Sequence, residues 1–184
     1  MTKFVEDLIS FDFQNGFFVE KLDAMKFYVD HYSKIQDEKS VDFVAFNPDK
    51  SELWLVEVKD YRNRERKKTV GLIDEIAKKI SSSLACLIAM RGNSQYATDA
   101  ERDFAAKAIV QTKLRVVFHL ELSEPNQEKS NKFKKQSRSF YVDLKTVRDS
   151  LRRTLRPIDP DAIVSTVTKP RAVPWKATFL DIKS

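Results

Sequence analysis

Apolar positions recur along the chain with two periods, one typical of strands and one typical of helices. The clearest strand signal lies at residues 41–46 (VDFVAF) and 52–59 (ELWLVEVK), which are rich in β-branched and aromatic residues. The sequence NPDKS separates them and is suited to a tight turn, so the two runs predict a β-hairpin. Because both runs are apolar on both faces, we expect central strands with helices above and below.

Helical periodicity marks the segments on either side of this hairpin. Thr98 and Glu101 form the sequence pattern of a capping box at the start of one such segment. In another, the apolar residues 84–90 fit a buried strand as well as the end of a long helix, and periodicity does not decide between them. Apolar side chains at helical spacing predict helices over residues 17–33, 70–90, 98–111 and 144–155.

The remaining segments complete a mixed α/β prediction. Alternating patterns predict strands within residues 3–13, 113–122 and 162–167. Residues 123–139 are polar and basic and predict a loop, and residues 168–184 predict an extended C-terminal tail. We therefore expect a single domain over residues 1–184, with a mixed central β-sheet flanked by helices.

Composition narrows the class of protein. The chain has 184 residues, of which 42% are hydrophobic, so it can bury a sizeable core. The lone Cys86 cannot form an internal disulfide, which favours a reducing cytoplasm. No apolar run approaches the roughly 20 residues of a membrane span. We expect a cytoplasmic protein without a membrane partner.

The net charge of +6 is concentrated in three segments. Residues 59–68 hold six basic and two acidic residues, residues 129–138 five basic and none acidic, and residues 145–156 five basic and one acidic. Such segments are often solvated faces, but three of them on one chain favour a surface that contacts phosphates. The side chains predicted to contact nucleic acid are Arg62, Arg64, Arg66, Lys67, Lys68, Lys132, Lys134 and Lys135.

Charged residues inside the apolar hairpin indicate a site. A buried charge is costly unless it is paired or bound to a metal, and Asp42, Glu57 and Lys59 lie within or at the end of the apolar runs. A four-residue loop would set Asn47 opposite Glu52 and Asp42 opposite Glu57, on one face of the hairpin. Lys59 shares that face because side chains alternate along a strand.

The chemistry of this trio favours a divalent cation. Two adjacent carboxylates repel each other, and Mg²⁺ or Mn²⁺ would relieve that repulsion while keeping waters for a substrate phosphate. The Val58 carbonyl is a candidate third oxygen ligand, and Lys59 could position or deprotonate the attacking water or offset charge on the phosphate. The alternative is a purely structural ion-pair cluster in which Lys59 protects a strand end.

The pattern Asp42-x14-Glu57-Val58-Lys59 on a predicted hairpin resembles the PD-(D/E)XK nuclease superfamily, and residues 41–61 are also similar to uncharacterised bacterial members. The resemblance implies a restriction-endonuclease-like αβββαβ core, with Asp42 and Glu57 as metal ligands and Lys59 as the catalytic lysine. Many members carry a further acid on the first helix, for which Glu20 is the first candidate and Asp23 the second. Position 41 is valine, where many members have proline.

The function that this resemblance implies is an Mg²⁺-dependent endonuclease that acts on DNA rather than RNA. A homodimer or a separate partner protein would be consistent with it. One alternative is a catalytically inactive module of the same fold that binds nucleic acid or a protein. Another is a toxin or defence-system subunit whose nuclease needs a partner.

Overall fold

The computed structural model describes residues 2–35, 39–62, 71–122 and 144–180. The strands in these ranges are β1 (Thr2–Glu6), β2 (Ile9–Phe13), β3 (Phe18–Glu20), β4 (Phe43–Asn47), β5 (Glu52–Tyr61), β6 (Lys113–Leu122), β7 (Ile163–Ser165) and β8 (Trp175–Phe179). The helices are α1 (Lys26–Asp30), α2 (Leu72–Gly92), α3 (Asp99–Ile109) and α4 (Leu144–Leu155). None of the described helices combines the length and the apolar composition that a membrane span requires.

A five-stranded mixed sheet forms the centre of the fold, in the order β3-β4-β5-β6-β7. Strands β3, β4 and β5 are antiparallel neighbours, whereas β5, β6 and β7 run parallel. Parallel strands need a crossover connection, and α2 and α3 lie in the chain between β5 and β6. The predicted mixed α/β fold, with a central sheet flanked by helices, is confirmed.

The two faces of this sheet are covered by different layers. On one face, Val44, Leu55 and Phe118 pack in a core with residues of α2, α3 and α4. On the other face, Phe43 and Trp54 pack against β2 and β8 of a three-stranded sheet of order β1-β2-β8. The expectation of helices on both faces is therefore wrong. The apolar pattern of a strand shows that a face is buried and does not reveal what buries it.

The predicted β4–β5 hairpin is confirmed together with its register. Asn47 pairs with Glu52 and Phe43 pairs with Val56, as the four-residue loop requires. The side-chain oxygen of Asn47 accepts a hydrogen bond from the Lys50 N–H at 3.0 Å, across a single 3₁₀ turn at Pro48–Lys50. This bond fixes the loop length, and the loop length fixes which side chains share a face.

The predicted first helix over residues 17–33 is wrong. Its beginning is strand β3, and the rest consists of two 3₁₀ turns, Leu22–Ala24 and Tyr32–Lys34, on either side of the short α1. Buried Phe17 and Val19 alternate with exposed neighbours, a period of two that aromatic and β-branched residues favour in strands. Although the apolar residues of this segment also have helical spacing, residues 18–20 pair with β4 as the edge strand of the central sheet.

The other helix predictions are confirmed within the described residues. Helix α2 is continuous through residues 84–90, so the strand alternative is excluded. Thr98 and Glu101 form the predicted capping box at the start of α3. Glu101 also accepts a hydrogen bond from the Phe27 N–H at 2.8 Å, which ties α3 to α1. The buried stripe of α4 consists of Val147, Leu151 and Leu155.

The N- and C-terminal segments meet in the second sheet. Residues 3–13 form two strands rather than one, because a turn at Asp7, with a φ of 51°, reverses the chain. The predicted extended tail, residues 168–184, contains β8, which pairs with β2. The predicted strand at residues 162–167 corresponds to β7. The predicted loop over residues 123–139 lies outside the described residues.

Candidate metal centre

Side chains from two helices hold the backbone that leads to Asp42. The Ser40 N–H donates to the hydroxyl of Tyr28 in α1 at 3.0 Å. The Val41 N–H donates to Oγ of Ser83 in α2 at 2.9 Å. These bonds satisfy backbone donors just before β4 begins, and they position Asp42 at the start of that strand.

The Asp42 carboxylate then pairs with strand β5. Its Oδ2 accepts a hydrogen bond from the Val58 N–H at 2.6 Å, beyond Phe43–Val56, the final residue pair of the hairpin. The carboxylate thus occupies the place of a backbone partner. Because N–H and C=O of one residue point to the same side of a strand, the Val58 carbonyl faces this edge as well.

Glu57 is the most buried member of the group, with a relative exposure of 0%. Its Oε1 lies 2.5 Å from Nζ of Lys59 and 2.7 Å from Nζ of Lys79, which extends from α2. Its Oε2 is buried and has no hydrogen-bond partner in the described part of the chain. One oxygen therefore meets two ammonium groups while the other meets none.

The electrostatics of the site leave Asp42 short of compensating charge. Burial, and then the neighbouring charge of Glu57, raise the pKa of Asp42 from its ordinary value of 3.8 to about 7. The Val58 N–H and the two lysines oppose that rise only in part. Burial acts to lower the pKa of Lys59, but the attraction of Glu57 outweighs it and the pKa is raised. At neutral pH Lys59 is therefore charged, and Asp42 holds its proton to a higher pH than an exposed aspartate does.

The site is shielded but reaches solvent through its lysines. The side chains of Lys59 and Lys79 are 25% and 11% exposed. Lys79 also lines an open groove beside α2 together with Lys39 and Lys78. Lys79 thus connects the buried Glu57 carboxylate with the lining of this groove.

The residues present fit a cation of the magnesium type better than a zinc-type centre. No group of three or more His, Cys, Asp or Glu that could hold a metal occurs in the described ranges. Mg²⁺ commonly takes one or two carboxylates and keeps several waters, so Asp42, Glu57 and the Val58 carbonyl are the candidate donors for such a cation. The buried, unpartnered Oε2 of Glu57 is the atom that such a cation would satisfy.

The two candidates for a further acid lie outside the helix on which they were expected. Glu20 is on strand β3, opposite Val44, and its position in the register is diagonal to that of Asp42. Partial desolvation raises the pKa of Glu20, although its side chain is exposed. Asp23 is exposed in a 3₁₀ turn. The helical placement is wrong for both, and their part in the site stays a prediction.

Among the predicted nucleic-acid contacts, Arg62 is the one that the structure describes. Arg62 directly follows the last residue of β5. By strand alternation its side chain lies on the opposite side of the strand from Lys59 and the rest of the trio. Its guanidinium forms a forked pair with Asp60 and lies 3.8 Å from the ring centre of Phe179. A role in DNA binding stays a prediction for Arg62. The other seven predicted contacts lie outside the described residues: Arg64, Arg66, Lys67, Lys68, Lys132, Lys134 and Lys135.

Sequence reasoning missed Lys79 and Ser83, which reach the site from α2. Both belong to the stripe that contains Ile76, Ile80 and Leu87, whose members are buried in the helix-side core. A lysine and a serine within an apolar helical stripe are a usable signal, because buried polar groups need partners. The sequence does not reveal which partners these are, since the Glu57–Lys79 contact joins residues 22 positions apart.

Comparison with known proteins gives one weak likeness. The chain is 27% identical over 153 residues to a cysteine–tRNA ligase of Neisseria meningitidis, covering 66% of this chain and 21% of the ligase. The chain thus spans about a fifth of the length of the protein that it matches. No family model matches the chain, and no solved structure matches it significantly. These findings do not assign the chain to a family.

Proposed function

We propose that this chain is a magnesium- or manganese-dependent nuclease of restriction-endonuclease-like fold that hydrolyses phosphodiester bonds in DNA. The observation that carries the proposal is the imbalance at Glu57, where Oε1 meets two ammonium groups and the buried Oε2 has no described partner. The raised pKa of the adjacent Asp42 points the same way. A divalent cation between the two carboxylates would satisfy the unpartnered Oε2 of Glu57 and favour the charged form of the desolvated Asp42.

The order of elements around the site supports this fold. Strands β3, β4 and β5 form an antiparallel meander, and β6 runs parallel to β5 after α2 and α3. This agrees with the last five elements of an αβββαβ core. The short α1 lies between β3 and β4, where that core has no helix.

Each residue of the site has a definite part in the proposed reaction. Asp42, Glu57 and the Val58 carbonyl would hold the cation, which when bound lowers the pKa of a coordinated water and polarises the phosphate. Lys59, charged at neutral pH in the metal-free protein, would offset the negative charge that develops on the attacked phosphate. Lys79 holds the Glu57 carboxylate in position from α2.

The substrate class follows from charge. A basic surface beside the carboxylates favours a polyanion, and phosphate contacts give binding that weakens with salt and depends little on sequence. DNA is the proposed substrate. The likeness to part of a tRNA ligase is the reason to include tRNA in the substrate test.

The test is cleavage of plasmid DNA, single-stranded DNA and tRNA with Mg²⁺ or Mn²⁺, with and without EDTA. We expect metal-dependent cleavage of DNA that falls at least roughly 100-fold in Lys59→Met and in Glu57→Gln. Lys176→Met is the matched control, because Lys176 is exposed on β8 in the other sheet. Cleavage that survives EDTA, or that Lys59→Met leaves unchanged, contradicts the proposal.

A second candidate function is an inactive nuclease-fold module that binds nucleic acid. The contact of Glu57 with two lysines favours it, since such a cluster can be stable without metal. This module would bind DNA but cleave none of the three substrates. Thermal stability separates the two candidates further. A metal ligated by Asp42 and Glu57 raises the melting temperature of the wild type and not of Glu57→Gln, whereas the inactive module shows no such difference.

A further inference from the structure

A second charged site lies at the N-terminal end of strand β5, near Glu52 and Trp54. Here β6, α4 and the segment before β8 enclose a groove of about 750 Å³, which we call the arginine cleft. Its charged lining consists of Arg115, Arg148, Arg152, Arg171, Lys50, Glu52 and Asp161. Five cationic side chains therefore converge with two acidic ones.

The nearby acids, including Asp149 beside Arg148, neutralise this cleft only in part. Glu52 is engaged by Lys113 at 2.9 Å and by the Trp54 indole N–H at 3.1 Å. Arg115 approaches Asp159 only to 3.8 Å. Asp161, the other acid of the lining, is exposed to solvent. Positive charge thus exceeds negative charge in the cleft.

Two of the arginines are held in place within it. The Nε of Arg152 donates to the Ala162 carbonyl at 3.0 Å, which fixes this side chain beside the start of β7. Arg148 stands one helical turn earlier on α4, where its guanidinium donates to Oδ1 of Asp149 at 3.1 Å. The side chains of Arg115 and Arg148 are 25% and 31% exposed. Like charges four residues apart on a helix repel each other, and partial burial strengthens that repulsion. A bound anion would relieve it.

We propose that the arginine cleft binds the phosphate groups of a polyanion. Arginine suits this task because its planar guanidinium forms forked hydrogen bonds with phosphate oxygens. The same chemistry is presented by a nucleic-acid strand and by a free polyphosphate, and the experiment below distinguishes these sources.

The cleft is separate from the candidate metal centre. Glu52 and Glu57 are five residues apart on β5, which corresponds to about 17 Å along the strand. Trp54 and Arg115 belong to the face that packs on the second sheet, whereas Glu57 faces the helices. Binding in the cleft therefore does not require the chain to be a nuclease.

The test compares two double variants that remove the same charge. The first, Arg148→Gln with Arg171→Gln, removes two positive charges from the lining of the cleft. The second, Arg153→Gln with Arg156→Gln, removes two positive charges from exposed residues at the end of α4, outside the cleft. Binding of a labelled DNA strand of roughly 20 nucleotides, and of inorganic tripolyphosphate, is measured in EDTA across a salt series. Melting curves of all proteins confirm that each variant is folded.

We expect the cleft variant to bind DNA about tenfold more weakly than the control variant. The slope of log affinity against log salt should fall by about 1.4, the value for two contacts to a single strand. Loss of DNA binding alone identifies a nucleic-acid strand as the ligand, and loss of tripolyphosphate binding alone identifies a free polyphosphate. Equal binding of both ligands by the two variants overturns the proposal. Because EDTA is present throughout, this result is independent of cleavage.

Discussion

Strand β5 carries two carboxylate–cation pairs on its opposite faces, and they differ in how completely they are satisfied. On the second-sheet side, the two carboxylate oxygens of Asp60 accept hydrogen bonds from Nε and from an amino group of Arg62. On the helix side, Glu57 receives two ammonium groups on Oε1, while Oε2 lacks a described partner.

The difference follows from the geometry of the two cations. A guanidinium is a planar fork that matches both oxygens of a carboxylate, whereas an ammonium is a point charge that contacts one oxygen. We call the Asp60–Arg62 pair closed, because the guanidinium engages both carboxylate oxygens. We call the Glu57 pair open, because its Oε2 has no described partner. The chain places the closed pair on one face and the open pair on the face that also carries Asp42.

Removal of each carboxylate should give the largest difference in stability between the two pairs. Glu57→Ala should lower the free energy of unfolding by about 3–5 kcal/mol, because it leaves Lys59 and Lys79 partly buried and facing each other. Asp60→Ala should cost about 1–2 kcal/mol, since Arg62 keeps its contact with Phe179. Denaturant unfolding at neutral pH measures both. Equal losses would show that the two pairs do not differ in the way described.

The pH dependence of stability tests the raised pKa of Asp42, which lies beside the open pair. The raised pKa of Asp42 means that the folded state holds the proton more tightly than the unfolded state does. The free energy of unfolding of the metal-free protein should therefore fall as the pH rises from 3.8, the ordinary pKa of this carboxyl, towards about 7, its pKa in the folded protein. Between about pH 5 and pH 8 the fall should be roughly 2.5 kcal/mol.

Asp42→Asn should remove this slope, because the amide oxygen can still accept the Val58 N–H without a charge to lose. Thermal and denaturant unfolding in EDTA across that pH range provides the measurement. If the variant retains the full slope, the titration belongs to another group.

The smallest expected effect concerns the closed pair. Arg62→Lys keeps the charge but loses the fork, and should reduce the free energy of unfolding by about 1 kcal/mol. The measurement is a denaturant melt, with Lys176→Arg on the exposed face of β8 as the control for a lysine–arginine exchange. An effect as large as that of Glu57→Ala would mean that the fork is not what closes this pair.

The local features of the site were predictable from the sequence. The hairpin register follows from the loop at Asn47–Ser51, and it correctly sets Phe43 opposite Val56. That register is what brings Asp42 beside Glu57 and Lys59. The capping box at Thr98 was equally visible, because its parts lie three residues apart. Features encoded within one turn or one hairpin are specified by neighbouring residues alone.

Features that depend on docking between distant segments were not predictable. Lys79 reaches Glu57 only because α2 packs against the central sheet. No pattern within α2 predicts that Glu57 is the residue that Lys79 contacts. Residues 18–20 form a strand because an edge of β4 is available to pair with them. The cover over the Phe43 face comes from both termini of the described chain, which no local pattern indicates.

The pairing of β8 with β2 has a consequence for the order in which the protein folds during synthesis on the ribosome. Ile9 pairs with Phe179, so this sheet cannot be completed until nearly all of the described chain has left the exit tunnel. Contacts of such long sequence separation form slowly. The hairpin with the acidic trio, by contrast, can form early from residues close in sequence. Phe43 can already pack against Phe11 and Phe13 of β2, whereas Trp54 gains its contact with Trp175 only after β8 has emerged, so an aromatic surface on the reverse face of the hairpin stays partly uncovered until then.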